Sequence, residues 1–256
     1  MRWDPSGYLE FQQPRGRAFH DLVARVDAQL PRRVVDLGCG PGHLTTSLTQ
    51  RWPAALIEAF DSSVEMVQQA RELGLNAMLL DADEWMPLAD TDVVVCNAVL
   101  QWVPGHVELI RRWMAALPPG AWFAMQVPGN FDAPSHLLVR ELASQLHWRD
   151  LVPELHEAPV CDAAEYAELF AATGADVDAW ETTYLHRLGG PNPVLEWIRS
   201  TALRPVRTAL NDEQWAAFRA ELAPTLEAAY PRRPDGTTWF PFRRIFAVAH
   251  LPERQS

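Results

Sequence analysis

The chain contains no lysine, only three cysteines and no long apolar run. All 22 basic residues are arginines, and 33 acidic residues leave a formal net charge of −11. Such a charge repels nucleic acids and anionic membranes, so we expect neither as a partner. The first residues lack an apolar signal region, and no stretch approaches the length of a membrane span. We therefore expect a cytoplasmic protein, with no obligate protein partner indicated.

The three cysteines, Cys39, Cys96 and Cys161, lack the spacing of a metal site, and each lies in or near an apolar stretch. We predict reduced thiols, no disulfide and no bound metal. A chain of 256 residues with 48% hydrophobic content is long enough for one large domain with a substantial core.

Short apolar runs alternate with helical patterns through the first half of the chain. This rhythm predicts an α/β fold in which helices cover both faces of a parallel sheet. The predicted strands are residues 33–37, 56–60, 77–80, 93–97, 122–127, 177–188 and 242–251. The predicted helices are residues 44–51, 63–73, 106–117, 135–146, 163–173, 192–202 and 212–230. Asn192 and Asp212 are the expected N-caps of the last two helices.

The first predicted strand carries Asp36 and runs into a Gly-x-Gly-x-Gly turn at Gly38, Gly40 and Gly42. Glycine lets the backbone approach a ligand closely because it has no Cβ. A dinucleotide fingerprint would place its third glycine at His43, so the spacing favours S-adenosylmethionine (SAM), which has no pyrophosphate. We expect Asp36 to face the SAM ammonium, directly or through water. The alternative is an ordinary strand-to-helix turn.

The second predicted strand is followed by Asp61 and Ser62. A carboxylate at this position can accept hydrogen bonds from both ribose hydroxyls, and we assign both residues to the cofactor site. The alternative for Asp61 is the N-cap of the next helix. Met66, one turn into that helix, is assigned to the adenine face, with core packing as the alternative.

Two further strand ends carry polar residues. After the third strand, the Asp83 carboxylate can accept the adenine amino group while the next backbone N–H, that of Glu84, donates to a ring nitrogen. A solvated acidic loop is the alternative, and Asp81 is a rival for the same role. Asn97 ends the fourth strand near the expected position of the reactive methyl group, and Gln101 can form a wall of the site.

Together these positions resemble the Rossmann-type SAM-dependent methyltransferases. The glycine motif is specific only for that superfamily, whereas later blocks resemble the bacterial trans-aconitate 2-methyltransferases from end to end. Those blocks are Trp3-Asp4-Pro5-x-x-Tyr8-Leu9-x-Phe11, Gln126-Val127-Pro128-x-Asn130, Thr182-Thr183-Tyr184-x-His186, Trp197-x-x-x-Thr201-x-Leu203-Arg204-Pro205 and Arg244-x-Phe246-x-Val248-Ala249.

The resemblance implies methyl transfer from SAM to one carboxylate of trans-aconitate, which gives a monomethyl ester. The expected fold is then a doubly wound, seven-stranded, mostly parallel sheet whose last strand is antiparallel. We expect a single domain over residues 1–256, with helical cap segments at 129–160 and 189–238 over the carboxyl ends of the strands.

A tricarboxylate carries roughly three negative charges near neutral pH, so an acidic protein needs fixed cations to bury it. We assign Arg204 and Arg244 to this role because arginine holds a carboxylate with two parallel hydrogen bonds. Arg199 and Arg207 can replace Arg204, and the alternative for any one arginine is a surface charge. The other assigned substrate residues are aromatic or neutral polar groups, namely Trp3, Tyr8, Gln101, Tyr184 and His186.

No residue is assigned as a catalytic acid or base, because a carboxylate is already ionised near pH 7. The alternative functions are methylation of another small carboxylic acid, C- or O-methylation of a quinone precursor, and SAM binding without catalysis. A nicotinamide-dependent oxidoreductase is disfavoured because His43 stands where that fingerprint needs glycine.

Overall fold

The computed structural model describes residues 12–155 and 160–253, with side chains from residue 16 onward. The chain divides into two compact units. The first unit comprises Met1–Pro128, Val160–Thr182 and Arg244–Ser256, and the second comprises Gly129–Pro159 and Thr183–Arg243. Strands β6 and β7, defined below, each run from one unit into the other.

The sheet has seven strands in the order β3-β2-β1-β4-β5-β7-β6. β1 to β5 are parallel, and β7 runs antiparallel to β5, so the expected doubly wound, mostly parallel sheet is confirmed. The strands are β1 (Arg33–Leu37), β2 (Leu56–Asp61), β3 (Ala77–Leu79), β4 (Thr91–Asn97), β5 (Trp122–Pro128), β6 (Asp176–Leu188) and β7 (Thr238–His250).

Helices flank this sheet in the first unit and make up much of the second. In the first unit they are α1 (Gln12–Val23), α2 (Thr45–Arg51), α3 (Val64–Glu72), α4 (His106–Ala116) and α6 (Ala163–Ala171), with a short 3₁₀ turn at Leu100–Trp102. In the second unit they are α5 (Pro134–Ala143), α7 (Pro193–Arg199), α8 (Arg204–Ala209) and α9 (Asp212–Ala229).

The central strands are buried on both faces, as parallel strands covered by helices must be. On one face, Leu37, Cys96 and Met125 belong to a core cluster that includes Trp113 of α4 and Phe170 of α6. Successive side chains of a strand alternate between faces, so the residue before or after each of these strand residues points to the opposite face. That opposite face carries the polar residues described below.

Of the two predicted helix caps, Asp212 was wrong, and Asn192 has the N-cap position but no capping hydrogen bond from its side chain. Asn211, not Asp212, caps α9: its Oδ1 accepts a hydrogen bond from the Gln214 N–H at 2.9 Å, and Gln214 Oε1 accepts one from the Asn211 N–H at 3.1 Å. This reciprocal pair satisfies two backbone donors at once, which Asp212 cannot do from inside the first turn. Asn192 precedes α7 with φ +45° and makes no side-chain cap hydrogen bond.

Helices α1 and α8 were not predicted. The α1 sequence contains Pro14 and Gly16, both typical of breaks in a helix, yet the helix runs through them. It packs against β5 through a buried face that includes Phe19 and Leu22. α8 is only six residues long and has Pro205 in its first turn, a position that favours proline.

The second unit has an aromatic core. Trp197 of α7 is buried, and its ring lies against Phe240 and Phe242 of β7 at centroid distances of 5.8 Å. A single domain with cap segments over the strand ends stays a prediction.

No helix within residues 12–155 and 160–253 combines the length and apolar character needed to cross a bilayer. Within the same ranges no group of three or more histidine, cysteine or acidic side chains is arranged to hold a metal ion. The three cysteines are free thiols. The cytoplasmic location stays a prediction.

Candidate functional site

The glycine turn after β1 uses its three glycines for different reasons. A Cβ on Gly38 would lie 2.1 Å from Val99 Cγ2, and one on Gly42 would lie 2.6 Å from Leu75 Cδ1. Both positions therefore require glycine for packing within the protein. A Cβ on Gly40 would meet nothing within 4 Å, although its φ of +56° still disfavours other residues. Gly40 is thus the glycine that faces open space, where a ligand can approach the backbone.

Asp36 is a buried acid close to this turn, with 3% of its surface exposed. Thr45 Oγ1 donates to its Oδ2 at 2.6 Å, and in the described part of the chain Asp36 makes no ion pair. Burial raises the pKa of Asp36 to about 7; the charge of Asp61 adds to the shift and the Thr45 hydrogen bond opposes it. A buried carboxylate that lacks a cation fits a ligand that brings its own positive charge.

Asp61 joins the glycine turn to the end of β2. Its Oδ2 accepts the Gly40 N–H at 2.9 Å, and its Oδ1 accepts the Ser63 N–H at 2.9 Å. Burial raises the pKa of Asp61, while these two N–H donors oppose the shift. Each carboxylate oxygen has a further lone pair, so Asp61 can hold the turn and still accept a ribose hydroxyl. The helix cap is Ser63, whose Oγ accepts the Met66 N–H at 3.3 Å.

The two neighbours assigned to the cofactor differ in accessibility. Ser62 is exposed, whereas Met66 is a core residue with 3% of its surface exposed. Met66 therefore presents little surface to an adenine ring in this conformation. Both roles stay predictions.

The acidic segment after β3 is exposed at Asp81, Asp83 and Glu84. The Glu84 N–H, predicted to read the adenine ring, donates to the Asp81 carbonyl at 3.2 Å. This N–H closes a local turn, so it can serve a ligand only by sharing or exchanging that bond. The backbone carbonyl of Asp83 accepts a hydrogen bond from Arg112. The Asp83 residue itself is exposed.

The chain leaves β4 through a strained residue. Ala98 has φ +58°, a left-handed conformation that costs a non-glycine residue about 1–2 kcal/mol. Two hydrogen bonds hold it: its N–H donates to the Gln126 carbonyl at 2.8 Å, and its carbonyl accepts from Gln101 Nε2 at 2.7 Å. Strain of this kind persists only where surrounding contacts impose it.

Ala98 therefore uses one of the two N–H groups of Gln101 Nε2. Gln101 Oε1 is buried and accepts no hydrogen bond in the described ranges, and the same is true of Asn97 Oδ1. The second N–H of Nε2 can still donate to a substrate carboxylate, so that role stays a prediction. Two unsatisfied acceptors also lie close to the end of β4, which suits a ligand with donors or positive charge.

Gln126 belongs to one of the sequence blocks named above, but the sequence interpretation assigned it no role in the site. It lies in β5 opposite Asn97 and is fully buried, on the face opposite the core cluster that contains Met125. Its Oε1 accepts a hydrogen bond from Arg244 Nη1 at 3.4 Å. A glutamine inside the apolar run of residues 122–127 is the signal that could have identified it, since buried polar side chains need a reason.

The predicted substrate residues are divided between the two units. Gln101 and Arg244 belong to the first unit, and Arg244 is buried with 7% of its surface exposed. Tyr184, His186 and Arg204 belong to the second unit. Trp3 and Tyr8 lie outside the described residues.

Within the second unit, Tyr184 and His186 are buried, and the His186 ring stacks on Trp197 with centroids 4.6 Å apart. Arg204 begins α8 and is half-buried; burial lowers its pKa. The two arginines proposed as its alternatives are engaged in ion pairs. Arg199 pairs with Glu196 at 3.2 Å, and Arg207 pairs with Asp212 at 2.6 Å.

Comparison with known proteins agrees with this geometry. Residues 6–179 match a family model described as a methyltransferase domain. The chain is similar to a trans-aconitate 2-methyltransferase of Rhodococcus jostii, with 62% identity over 252 residues that cover 97% of this chain and 99% of the relative. It is also similar to the trans-aconitate 2-methyltransferase of Mycolicibacterium gilvum, with 59% identity over 252 residues, 97% of this chain and 99% of the relative.

A solved structure supports the fold. The YcgJ protein of Bacillus subtilis superposes with a TM-score of 0.59 at 15% sequence identity, over 93% of this chain and 99% of that chain. At this level of identity the likeness concerns the arrangement of strands and helices alone.

Proposed function

Since the chain belongs to the trans-aconitate 2-methyltransferase family of SAM-dependent methyltransferases, we propose that it transfers a methyl group from SAM to one carboxylate of trans-aconitate. The product is the monomethyl ester. The observation that carries this proposal is 62% identity along 97% of the chain to a relative of that name. The geometry of the first unit supports it, because an acid without a cation lies beside a glycine turn with open space.

When bound, SAM supplies a methyl group made electrophilic by the adjoining sulfonium. In our proposal Asp36 faces the ammonium of its methionine part, and the backbone at Gly40 allows the close approach. Asp61 accepts from the ribose while its remaining lone pairs hold Gly40 and Ser63 in place. The exposed Asp83 carboxylate is left to pair with the adenine amino group.

Trans-aconitate brings roughly three negative charges near neutral pH to a protein that is itself acidic. In our proposal Arg244 and Arg204 neutralise carboxylates that do not react. An arginine on the reacting carboxylate would stabilise its charge and weaken it as a nucleophile. Neutral donors therefore orient the reacting group; the candidates are Tyr184, His186 and the second N–H of Gln101 Nε2, whose first N–H binds Ala98.

The residues of this chain then act by positioning rather than by proton transfer, because the attacking carboxylate is already ionised. Aligning two reactants can lower a barrier by about 7–11 kcal/mol in favourable cases.

The test is incubation of the purified chain with SAM and a panel of polycarboxylates, followed by mass spectrometry. We expect one added methyl group on trans-aconitate and none on a quinone precursor. Methylation of a different acid would replace trans-aconitate as the substrate. SAM binding by calorimetry without any methylated product would point to a nonenzymatic SAM-binding protein.

A further inference from the structure

We propose that Gln126 determines specificity for a polycarboxylate, by donating from Nε2 to a non-reacting carboxylate of the substrate and by orienting Arg244 toward the same group. This inference rests on the proposed function above. It adds a residue that the sequence motifs gave no role, and it concerns only groups of the first unit.

The orientation of the Gln126 amide is fixed by its partner. Arg244 Nη1 donates to Gln126 Oε1 at 3.4 Å, and a guanidinium has donors but no acceptor. Turning the amide over would place two N–H groups against each other. The oxygen must therefore face Arg244, and the NH₂ group points away from it.

That NH₂ group is a donor without an acceptor. Gln126 is fully buried, and its Nε2 has no hydrogen-bond partner within residues 12–155 and 160–253. An unsatisfied buried donor keeps the cost of lost hydration until an acceptor arrives. The protein carries this cost in the ligand-free state, so binding of an acceptor recovers it.

The position of Gln126 indicates which acceptor fits. It lies opposite Asn97 at the carboxyl end of β4, on the same face of the sheet, and Arg244 lies opposite Pro128 two residues further along β5. A donor next to a buried guanidinium suits an anion with two oxygens. Carboxylates meet this description, and the donor would repel a cationic group.

The same donor has two other possible acceptors. One is the carboxylate of SAM itself, and the other is a buried water that bridges Gln126 Nε2 to the unsatisfied Asn97 Oδ1. The first predicts a loss of SAM affinity when Gln126 is changed. The second predicts an equal effect on all acids.

The experiment compares wild type with Gln126→Met and Gln126→Glu on trans-aconitate and on unsaturated dicarboxylates that each lack one of its three carboxylates. Gln126→Met removes both amide groups at similar volume, and Gln126→Glu keeps an acceptor for Arg244 but adds a charge that repels the substrate. Met125→Leu, on the opposite face of the same strand, is the control for core disturbance.

We expect KM for trans-aconitate to rise roughly 10- to 100-fold in both Gln126 variants, with SAM affinity within about twofold of wild type. For the one dicarboxylate that lacks the recognised group, the same variants should change KM less than about threefold, because the interaction is already absent. Met125→Leu should leave KM for every acid near the wild-type value.

An equal rise in KM for every acid, or a large loss of SAM affinity, would overturn the assignment. The proposed function is tested separately by wild-type turnover of trans-aconitate. If wild type methylates another polycarboxylate instead, the same comparison is made with that acid and its analogues. If the Gln126 variants unfold, Arg244→Gln is measured on the same acids, because loss of the guanidinium that faces Gln126 Oε1 should raise KM for the same recognised carboxylate. An unchanged KM for trans-aconitate in that variant would overturn the assignment.

Discussion

Asp36→Asn should separate the binding of SAM from the stability of the ligand-free protein. Asp36 is buried, and its pKa is raised to about 7 chiefly by that burial. If the ionised form is the one that binds the SAM ammonium, apparent affinity follows the ionised fraction. That fraction is about 0.5 at pH 7 and about 0.03 at pH 5.5, so wild-type affinity should fall roughly 15-fold over this interval.

This pH interval is chosen because an α-amino group stays protonated throughout it, so the charge of the ligand does not change. Calorimetric titration at pH 6 in two buffers of different ionisation enthalpy should show release of about 0.9 proton per SAM bound. Asp36→Asn should bind SAM at least roughly tenfold more weakly at pH 7 and should lose most of the pH dependence.

The pH dependence of folding stability is opposite to that of SAM affinity. An acid whose pKa is raised in the folded state keeps a proton there that the unfolded chain releases, so stability falls as pH rises from about 4 to about 7. The shift corresponds to about 4 kcal/mol at most. Thermal unfolding at pH 7.5 without ligand should therefore show Asp36→Asn to be more stable than wild type.

Asp150→Asn is the control, because that side chain is 84% exposed and its ion pair, with Arg149 at 3.7 Å, lies on the surface. It should change neither SAM affinity nor its pH dependence. The reasoning about Asp36 is refuted if wild type binds SAM equally well at pH 5.5 and pH 7, or if Asp36→Asn binds it as tightly as wild type.

The remaining predictions concern the glycine turn, the second unit and a helix cap. Gly40→Ala should fold, at a cost of about 1–2 kcal/mol from its positive φ, yet bind SAM more weakly by calorimetry. Gly38→Ala should lower the free energy of unfolding by roughly 2–5 kcal/mol, because its Cβ would overlap a valine side chain. Arg204→Ala should raise KM for trans-aconitate at least about tenfold and leave SAM affinity nearly unchanged; an unchanged KM would remove Arg204 from the site. Asn211→Ala should cost about 1 kcal/mol in urea unfolding and Asp212→Ala less than about half of that, and equal losses would contradict the cap assignment.

The parallel strands were predictable because burial on both faces leaves an unmistakable apolar run. β1 matches its prediction residue for residue, and β2, β4 and β5 differ from theirs by one or two residues at an end. The predicted last strand began at residue 242, four residues after the observed start at Thr238. The additional residues lie in the second unit, beyond the apolar run that defined the prediction.

Partners distant in sequence could not be predicted. The bond between Arg244 and Gln126 joins residues 118 positions apart and depends on the register of β5 with β7. The sequence also could not show which donors bind the protein's own backbone. The Glu84 N–H donates to the Asp81 carbonyl, and one Gln101 N–H donates to the Ala98 carbonyl. Residue type indicated which groups can donate or accept, but only the backbone path decides which of them are already used.

The order of the strands has a consequence for synthesis. β7 follows β6 in the sequence but lies between β5 and β6 in the finished sheet. A ribosome can release β1 to β5 in an order that lets neighbouring strands pair as they emerge, but β6 must wait for β7, its neighbour in the sheet. We therefore expect the nascent chain to expose the edge of β5 until β7 has left the exit tunnel, and an unpaired strand edge is a site at which another chain can pair.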